Sequence, residues 1–353
     1  VDARVITQND ISSSTMDAAP CTIEGMQMME QTANPTPGDT GTPDSWDYGD
    51  YLARAAQVVL PRRQFENLAP LPQPPEGALY VGADLGTAYV VLLALDETGQ
   101  PLAGEWQFAE VVRDGLVVDY IGAVDLLQGM KTRLERRLGR ELETAVSGYP
   151  PGVHQVEVRA TANVVEAAGL ACPLLLDEPT AANNVLRLHN GVIVDVGGGT
   201  TGIAVIKDGQ VVYTADEATG GTHFTLVVAG ALNLPFEEAE TLKTNPNEQQ
   251  RLYPLVVPVM EKVAAITARH LNGYKTSQIT LVGGSSAFPG FAAVVEEVTG
   301  VKTIAPQHPH LVTPLGLAHH NINLSGMVRH GVTRHDIALH QDVTGLGKAE
   351  RSP

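Results

Sequence analysis

The stretch VDVGGGTT, Val194 to Thr201, runs an aspartate into three glycines and two threonines. Apolar residues lead up to it, Gly191 to Val196, and follow it, Ile203 to Ile206, which reads as a strand, a tight turn and a second strand. Glycines at such a tip carry no Cβ, so backbone N–H groups can converge on an anion there. The threonine hydroxyls add donors, and Asp195 can hold a cation through water. That is a phosphate and Mg2+ site in outline, with a plain flexible hairpin as the alternative for one such turn taken alone. A second copy changes the balance. VGADLGT, Val81 to Thr87, again ends an apolar run on an aspartate, follows it with glycine and threonine, and leads into the apolar run Tyr89 to Leu95. Two hairpins with matching chemistry predict two related lobes facing one nucleotide. No GxxxxGK followed by Ser or Thr occurs, which excludes a P-loop, and the glycine turns lead into strands rather than helices, unlike a Rossmann turn.

The chain has 353 residues, enough for two ordinary domains, and 43% of them are hydrophobic without any run long enough to span a bilayer. A net charge of −17 argues against a nucleic-acid surface, which needs clustered Lys and Arg. Cys21 and Cys172 are the two cysteines, in no metal spacing, so a reducing, cytoplasmic setting is expected. No basic region followed by an apolar core opens the sequence as a signal peptide would.

Residues 1–45 are rich in Ser, Thr, Pro, Gly and Asp, with one basic residue against nine acidic ones in the first 50, and read as unfolded. Tyr48, Tyr51, Leu52, Ala55, Val58 and Val59 then recur at helical spacing, predicting an amphipathic helix over 46–60 with Asp44 as cap and Pro61 as its stop. This helix either packs on the first lobe or serves as a docking peptide. The expected organisation is an acidic tail over 1–78 that includes the helix, a first lobe over 79–180 closed by 312–321, a second lobe over 181–311, and a C-terminal tail over 322–353. Strands are expected at 79–84, 89–95, 143–149, 192–196, 202–207, 210–214 and 278–282. Helices are expected at 122–142, 161–168, 223–232, 236–244 and 253–272, an α/β alternation with an antiparallel hairpin opening each half. Seven of the eleven histidines lie from His308 onward at irregular spacing, which reads as a solvated tail rather than a metal site. Cys172 reads as a small core residue.

Four motifs in order, DLGT (Asp84 to Thr87), DEPTAA (Asp177 to Ala182), DVGGGTT (Asp195 to Thr201) and LVGGSSAFPG (Leu281 to Gly290), resemble the actin, sugar-kinase and DnaK-type chaperone ATPase superfamily. Within it, VVRDGLVVDYIGAV (Val111 to Val124), IVDVGGGTTGIAVIKDG (Ile193 to Gly209), YTADEATGG (Tyr213 to Gly221) and APQHPHLVTPLGLA (Ala305 to Ala318) resemble its ethanolamine-utilization branch. The resemblance implies a two-lobed actin-like ATPase fold, built from duplicated ribonuclease-H-like lobes, with ATP and Mg2+ in the cleft between them. It implies that Asp84 and Asp195 flank Mg2+ through water, and that Gly86, Thr87, Gly197, Gly198, Gly199, Thr200 and Thr201 hold the phosphates. Glu178 would position the attacking water, with a helix N-terminal acid as its structural alternative. Glu240 and Lys243 would edge the adenosine pocket, with Gly283, Gly284 and Ser285 as its floor. Phosphoryl transfer needs alignment and charge stabilisation more than covalent groups, which agrees with this set.

Two departures matter. Ala88 stands where DnaK-type chaperones carry a second hydroxyl, and an early lysine motif of those chaperones is missing, so slow hydrolysis, or binding without turnover, is expected. The resemblance implies a chaperone-like accessory protein of ethanolamine utilization, in the cytoplasm or on a bacterial microcompartment. Its expected partners are ethanolamine ammonia-lyase, the microcompartment shell proteins, or both. A filament-forming or scaffolding protein is the alternative, because RDGLVVDY (Arg113 to Tyr120) also resembles the bacterial actin MreB.

Overall fold

Each of the two apolar runs that end on aspartate becomes an inner strand of its own sheet in the computed structural model, which describes residues 46–329 apart from 114 and 154. The first half begins with α1 (Tyr48–Val58), β1 (Val59–Pro61), α2 (Arg62–Phe65) and the strands β2 (Tyr80–Leu85), β3 (Tyr89–Leu95) and β4 (Pro101–Phe108). A small hairpin follows, β5 (Val112–Arg113) with β6 (Leu116–Val117), then α3 (Tyr120–Leu138), β7 (Ala145–Tyr149), α4 (Gln155–Ala167), β8 (Leu175–Asp177) and α5 (Glu178–Leu186). The second half runs β9 (Gly191–Val196), β10 (Thr201–Lys207), β11 (Gln210–Glu217), α6 (Gly221–Leu232), α7 (Phe236–Thr244) and α8 (Pro246–His270). It continues with β12 (Gln278–Val282), α9 (Phe291–Thr299), β13 (Lys302–Ile304) and α10 (Val312–Arg329), with short 3-10 turns at Gly284–Ala287 and Pro309–Leu311.

The two sheets repeat one plan. In the first the order is β1-β4-β3-β2-β7-β8 and in the second β11-β10-β9-β12-β13. In each, the aspartate strand pairs antiparallel with the next strand and that one antiparallel with the strand after it, while two strands follow in parallel on the other side; the first sheet adds β1, parallel to β4, at its outer edge. The aspartate strands β2 and β9 are covered on both faces, which is why they read as unbroken apolar runs, whereas the edge strand β11 alternates. The second sheet packs with α8 and α9 around Val194, Met260, Leu281 and Phe291, and the first with α3 and α4 around Leu92, Leu127, Met130 and Val165.

Residues 47–61, expected within the acidic tail, join the first half of the fold: α1 packs beside β4, and Val59–Pro61 add a strand to the first sheet. The cap of α1 is Asp47, whose carboxylate accepts from Gly49 N at 2.8 Å; Asp44 lies outside the described residues. Tyr51, Leu52 and Ala55 are buried, and the Tyr51 hydroxyl donates to Gly99 O at 3.0 Å. Past Val58 the chain turns into β1, parallel to Gly104–Trp106 of β4, so packing and not docking is the structural fate of this helix. The proline-rich connector after it is held by its carbonyls: Arg136 donates to Glu66 O, Arg137 to Ala69 O, and Arg140 to Pro75 O and Gly77 O.

Several elements differ from the expected ones. Strand β4 is not among the expected strands because Gly104 and Glu105 break its apolar pattern; Glu105 is fully buried and held bidentately by Arg133 at 2.7 Å to each oxygen. Helix α8 begins at Pro246, capped by Asn245, and continues through Pro254 and Pro258, both on its exposed side, where the missing N–H donors leave carbonyls open to water. The histidines from 308 to 320 are part of the fold. His319 packs against Tyr51 and His320 against Asn184, and burial holds both below the usual imidazole range, His319 at about 4. His330, His335 and His340 lie outside the described residues. Cys172 is partly buried at the edge of the first core, and burial pushes its thiol up to about 11.

Helix α10 returns from the second half to pack on α5, β2 and β7. The approach is backbone to backbone. A Cβ on Gly316 would sit 1.8 Å from Ala181 O, and one on Gly82 would sit 2.5 Å from Pro314 O. Only glycine admits this crossing, which carries the chain from one sheet to the other at the base of the cleft.

Candidate functional site

The hairpin β2–β3 closes its tip with Gly86 N donating to Tyr89 O at 3.1 Å, and β9–β10 closes with Gly197 N donating to Thr200 O at 3.0 Å. The second tip is also stitched to the start of α6, since Gly221 N donates to Gly197 O at 2.9 Å and Thr222 N to Gly198 O at 2.8 Å. Ser285 Oγ donates to the same Gly197 carbonyl at 2.8 Å. At Gly283 (φ 84°) a Cβ would lie 2.2 Å from Asp195 Oδ1, so the absence of a side chain there leaves room for the carboxylate.

Between the lobes lies one cavity of about 430 Å³. Of the residues named from sequence, Asp84, Gly86, Thr87, Glu178, Asp195, Gly197, Gly198, Gly199, Thr200, Glu240, Lys243, Gly283, Gly284 and Ser285 all line it. Thr201 does not. It is fully buried, its Oγ1 donates to Thr219 O at 2.5 Å, and it therefore anchors the hairpin instead of offering a hydroxyl to a ligand. The strand period explains the difference, because residue 201 begins β10 and its side chain points away from the turn.

Three carboxylates meet at the cavity base. Burial pushes Asp84 up to about 7, helped by the charge of Asp195, and pushes Asp195 itself up to about 6 against a hydrogen bond from Thr313 Oγ1 at 2.8 Å. Glu178 is raised well above the usual range by burial and then by Asp195, Asp84, Asp216 and Asp177. The helix-cap role falls to Asp177, which accepts from Thr180 N at 3.0 Å, so the Glu178 carboxylate is left to the cleft. Among the described residues no three His, Cys, Asp or Glu side chains are grouped to ligate a metal directly. Mutually repelling acids beside glycine tips are nevertheless groups that could hold a hydrated divalent cation carrying a polyphosphate, Asp84 and Asp195 among them.

On the opposite wall, Glu240 and Lys243 pair at 2.6 Å, Lys243 Nζ also donates to Thr225 Oγ1 at 2.9 Å, and Thr225 Oγ1 lies 2.5 Å from Glu240 Oε2. Burial lowers the Lys243 ammonium, opposed by Glu240. Several lining residues escaped the sequence reading: Tyr89, Trp106, Phe224, Phe288, His310 and Thr313. His310 is held at about 4, by burial and then by His308, and is a neutral imidazole. The glycine pair Gly220–Gly221, at the cap and first residue of α6, was the local signal that could have marked this end of the cleft.

The chain is 43% identical over 248 residues to ethanolamine utilization protein EutJ of Escherichia coli (strain K12), a match covering 70% of this chain and 87% of that one. The crystal structure of ethanolamine utilization protein EutJ from Carboxydothermus hydrogenoformans superposes with a TM-score of 0.71 at 42% identity, over 77% of this chain and 97% of that one. The chain belongs to the EutJ family. The fold is the actin-like ATPase fold, as the wider matches agree. The model of cell division protein FtsA matches residues 192–319 and that of MreB/Mbl protein residues 103–232. MreB 5 of Spiroplasma citri bound to AMPPNP superposes with a TM-score of 0.60 at 16% identity, over 73% of this chain and all of that one. No helix among the described residues is long and apolar enough to cross a membrane.

Proposed function

We propose that this member of the EutJ family binds Mg-ATP between its lobes and uses it to regulate a chaperone-like accessory role in ethanolamine utilization. It would assist assembly of the microcompartment, protect and refold ethanolamine ammonia-lyase, or do both. The observation that carries the reading is the meeting of two glycine hairpin tips and three raised carboxylates in one interlobe cavity of about 430 Å³. Gly86, Thr87 and the Gly197–Thr200 tip hold the phosphates through backbone N–H groups and hydroxyls, and Asp84 and Asp195 orient the water shell of the cation. Mg2+ supplies charge neutralisation for the phosphates. Glu178 orients the attacking water; Glu240, Lys243, Gly283, Gly284 and Ser285 border the adenosine. Hydrolysis is slow because Ala88 leaves one phosphate donor missing.

Mg-ATP at millimolar concentration is expected to raise the melting temperature, since a ligand that binds only the native form stabilises it by mass action. Asp195→Asn keeps the acceptor for Thr313 but loses a cation-directed charge, and should shrink that shift. Equal shifts in both proteins would remove Asp195 from the site.

The accessory role is tested by recovery of partners. The phosphate tips belong to opposite lobes, so a nucleotide that retains its γ-phosphate draws them together, and a partner touching both lobes senses it. Affinity for ethanolamine ammonia-lyase or shell proteins is therefore expected to differ by about five-fold or more between ATP and ADP forms, the lower end of ordinary coupling. Pull-downs from cells grown on ethanolamine with identical recovery in both forms would leave a static scaffold. The MreB/Mbl match and the exposed Val118, Tyr120 and Ile121 favour one second reading, a filament, which ATP-dependent light scattering would establish in its place.

A further inference from the structure

Residues 88 and 89 reach from the first lobe to the second by two contacts of different kinds. A Cβ placed on Gly198 would lie 2.6 Å from Ala88 Cβ and 2.9 Å from Ala88 N, so the two hairpin tips meet methyl against bare backbone. One residue on, the Tyr89 hydroxyl donates to Glu240 Oε1 at 3.2 Å, joining β3 to α7. Its ring is set edge-on against Trp106 (centroids 5.4 Å, interplanar 77°) and Phe108 (5.7 Å, 76°), both on the neighbouring strand β4, which restricts the rotamers open to it. Burial and the adjacent Glu240 push the phenol upward, so it stays a donor. Glu240 has its other oxygen engaged by Lys243 and Thr225 from its own lobe, which makes Tyr89 the partner that reaches it from across the cleft.

We propose that Tyr89 is a positioning residue that fixes the Glu240–Lys243 pair and, with the Ala88–Gly198 contact, forms a clasp holding the two lobes together through protein contacts alone. The clasp rests on the nucleotide reading only for what enters the cleft. A ligand that seats between the tips and beside Glu240 has to part these contacts, so the clasp opens before or during entry. It also releases Glu240 Oε1 as an acceptor for the incoming molecule.

The test removes one oxygen. In ligand-free Tyr89→Phe, amide exchange over residues 197–200 and over α7 is expected to accelerate about ten-fold while the strands of both sheets exchange as before. Stopped-flow association of a fluorescent ATP analogue is expected to be about five-fold faster or more, because less of the protein is held shut. In a Glu240→Ala background, Tyr89→Phe should add nothing further, since both ends of one bond are then gone. Unchanged exchange at 197–200 and α7 in Tyr89→Phe would overturn the clasp, and so would full additivity with Glu240→Ala. The exchange readout needs no nucleotide: acceleration in a protein that fails to bind ATP leaves the clasp standing and defeats the nucleotide reading alone.

Discussion

Glu178→Ala is expected to lower ATP hydrolysis roughly 10- to 1000-fold while leaving ATP affinity nearly unchanged, the pattern of a group that acts mainly in the transition state. Its place in the structure supports this expectation. Glu178 opens α5, but Asp177 caps that helix, so loss of the Glu178 carboxylate does not remove the cap. The carboxylate lines the cleft with Asp84 and Asp195, and their charges, together with burial, keep it raised. A divalent cation between those aspartates would relieve the repulsion and return Glu178 to its charged form, able to accept a hydrogen bond from water. Single-turnover hydrolysis, with affinity measured separately by titration, checks it. Unchanged turnover would return Glu178 to a first-turn acid that merely favours the helix dipole.

Asp84→Asn is expected to make the metal-free protein more stable at pH 8 while largely abolishing stabilisation by Mg-ATP. Asp84 is raised to about 7 from an ordinary value of 3.8, chiefly by burial. Between those values the folded protein keeps a proton that the unfolded chain has lost, so the contribution to stability is full at low pH and is lost as pH rises through 7. Asp195, raised to about 6, acts in the same sense. His310 and His319, each held at about 4, act in the opposite sense below pH 6.5. For that reason the informative quantity is the difference between variant and wild type. With chelator present, that difference should be close to zero only below the unfolded value of 3.8 and should grow steadily as pH rises toward 7. At pH 8 it should reach about 4 kcal/mol in favour of Asn, a melting rise of roughly 8 °C or more for a body of this size. Equal melting temperatures at pH 8 would mean that Asp84 is as well solvated as an ordinary surface aspartate. A stabilising change that removes function is the usual mark of strained, functional charge.

Much of the site was legible because its signals are local. An apolar run, an aspartate and a glycine turn lie within eight residues at Val194 to Thr201, and all three properties act on the same few dihedral angles. Glu178 was named through the family resemblance that DEPTAA carries, not through a local pattern of its own. Thr201 shows the limit of such reading. It shares the motif with Thr200, yet one step along a strand turns its side chain from the turn into the interior, where it holds Thr219 O. Strand β4 and the short β1 were not legible, since Glu105 satisfies its charge with Arg133, 28 residues away, and β1 exists only as an edge on β4. His319 and His320 looked like part of a polar tail because the groups that cover them, Tyr51 and Asn184, come from distant parts of the chain.

The sequence by itself determined the two aspartate hairpins, the α/β alternation and the duplicated plan, because strand period, glycine turns and caps are set by neighbours along the chain. Only the tertiary structure decided what those pieces face. It set Gly283 against Asp195, Thr313 of α10 on the same carboxylate, and Tyr89 of β3 on Glu240 of α7, pairs 88, 118 and 151 positions apart. A carboxyl group's charge and a phenol's partner depend on dielectric and distance, and both are properties of what folding brings near, which no window of local sequence contains.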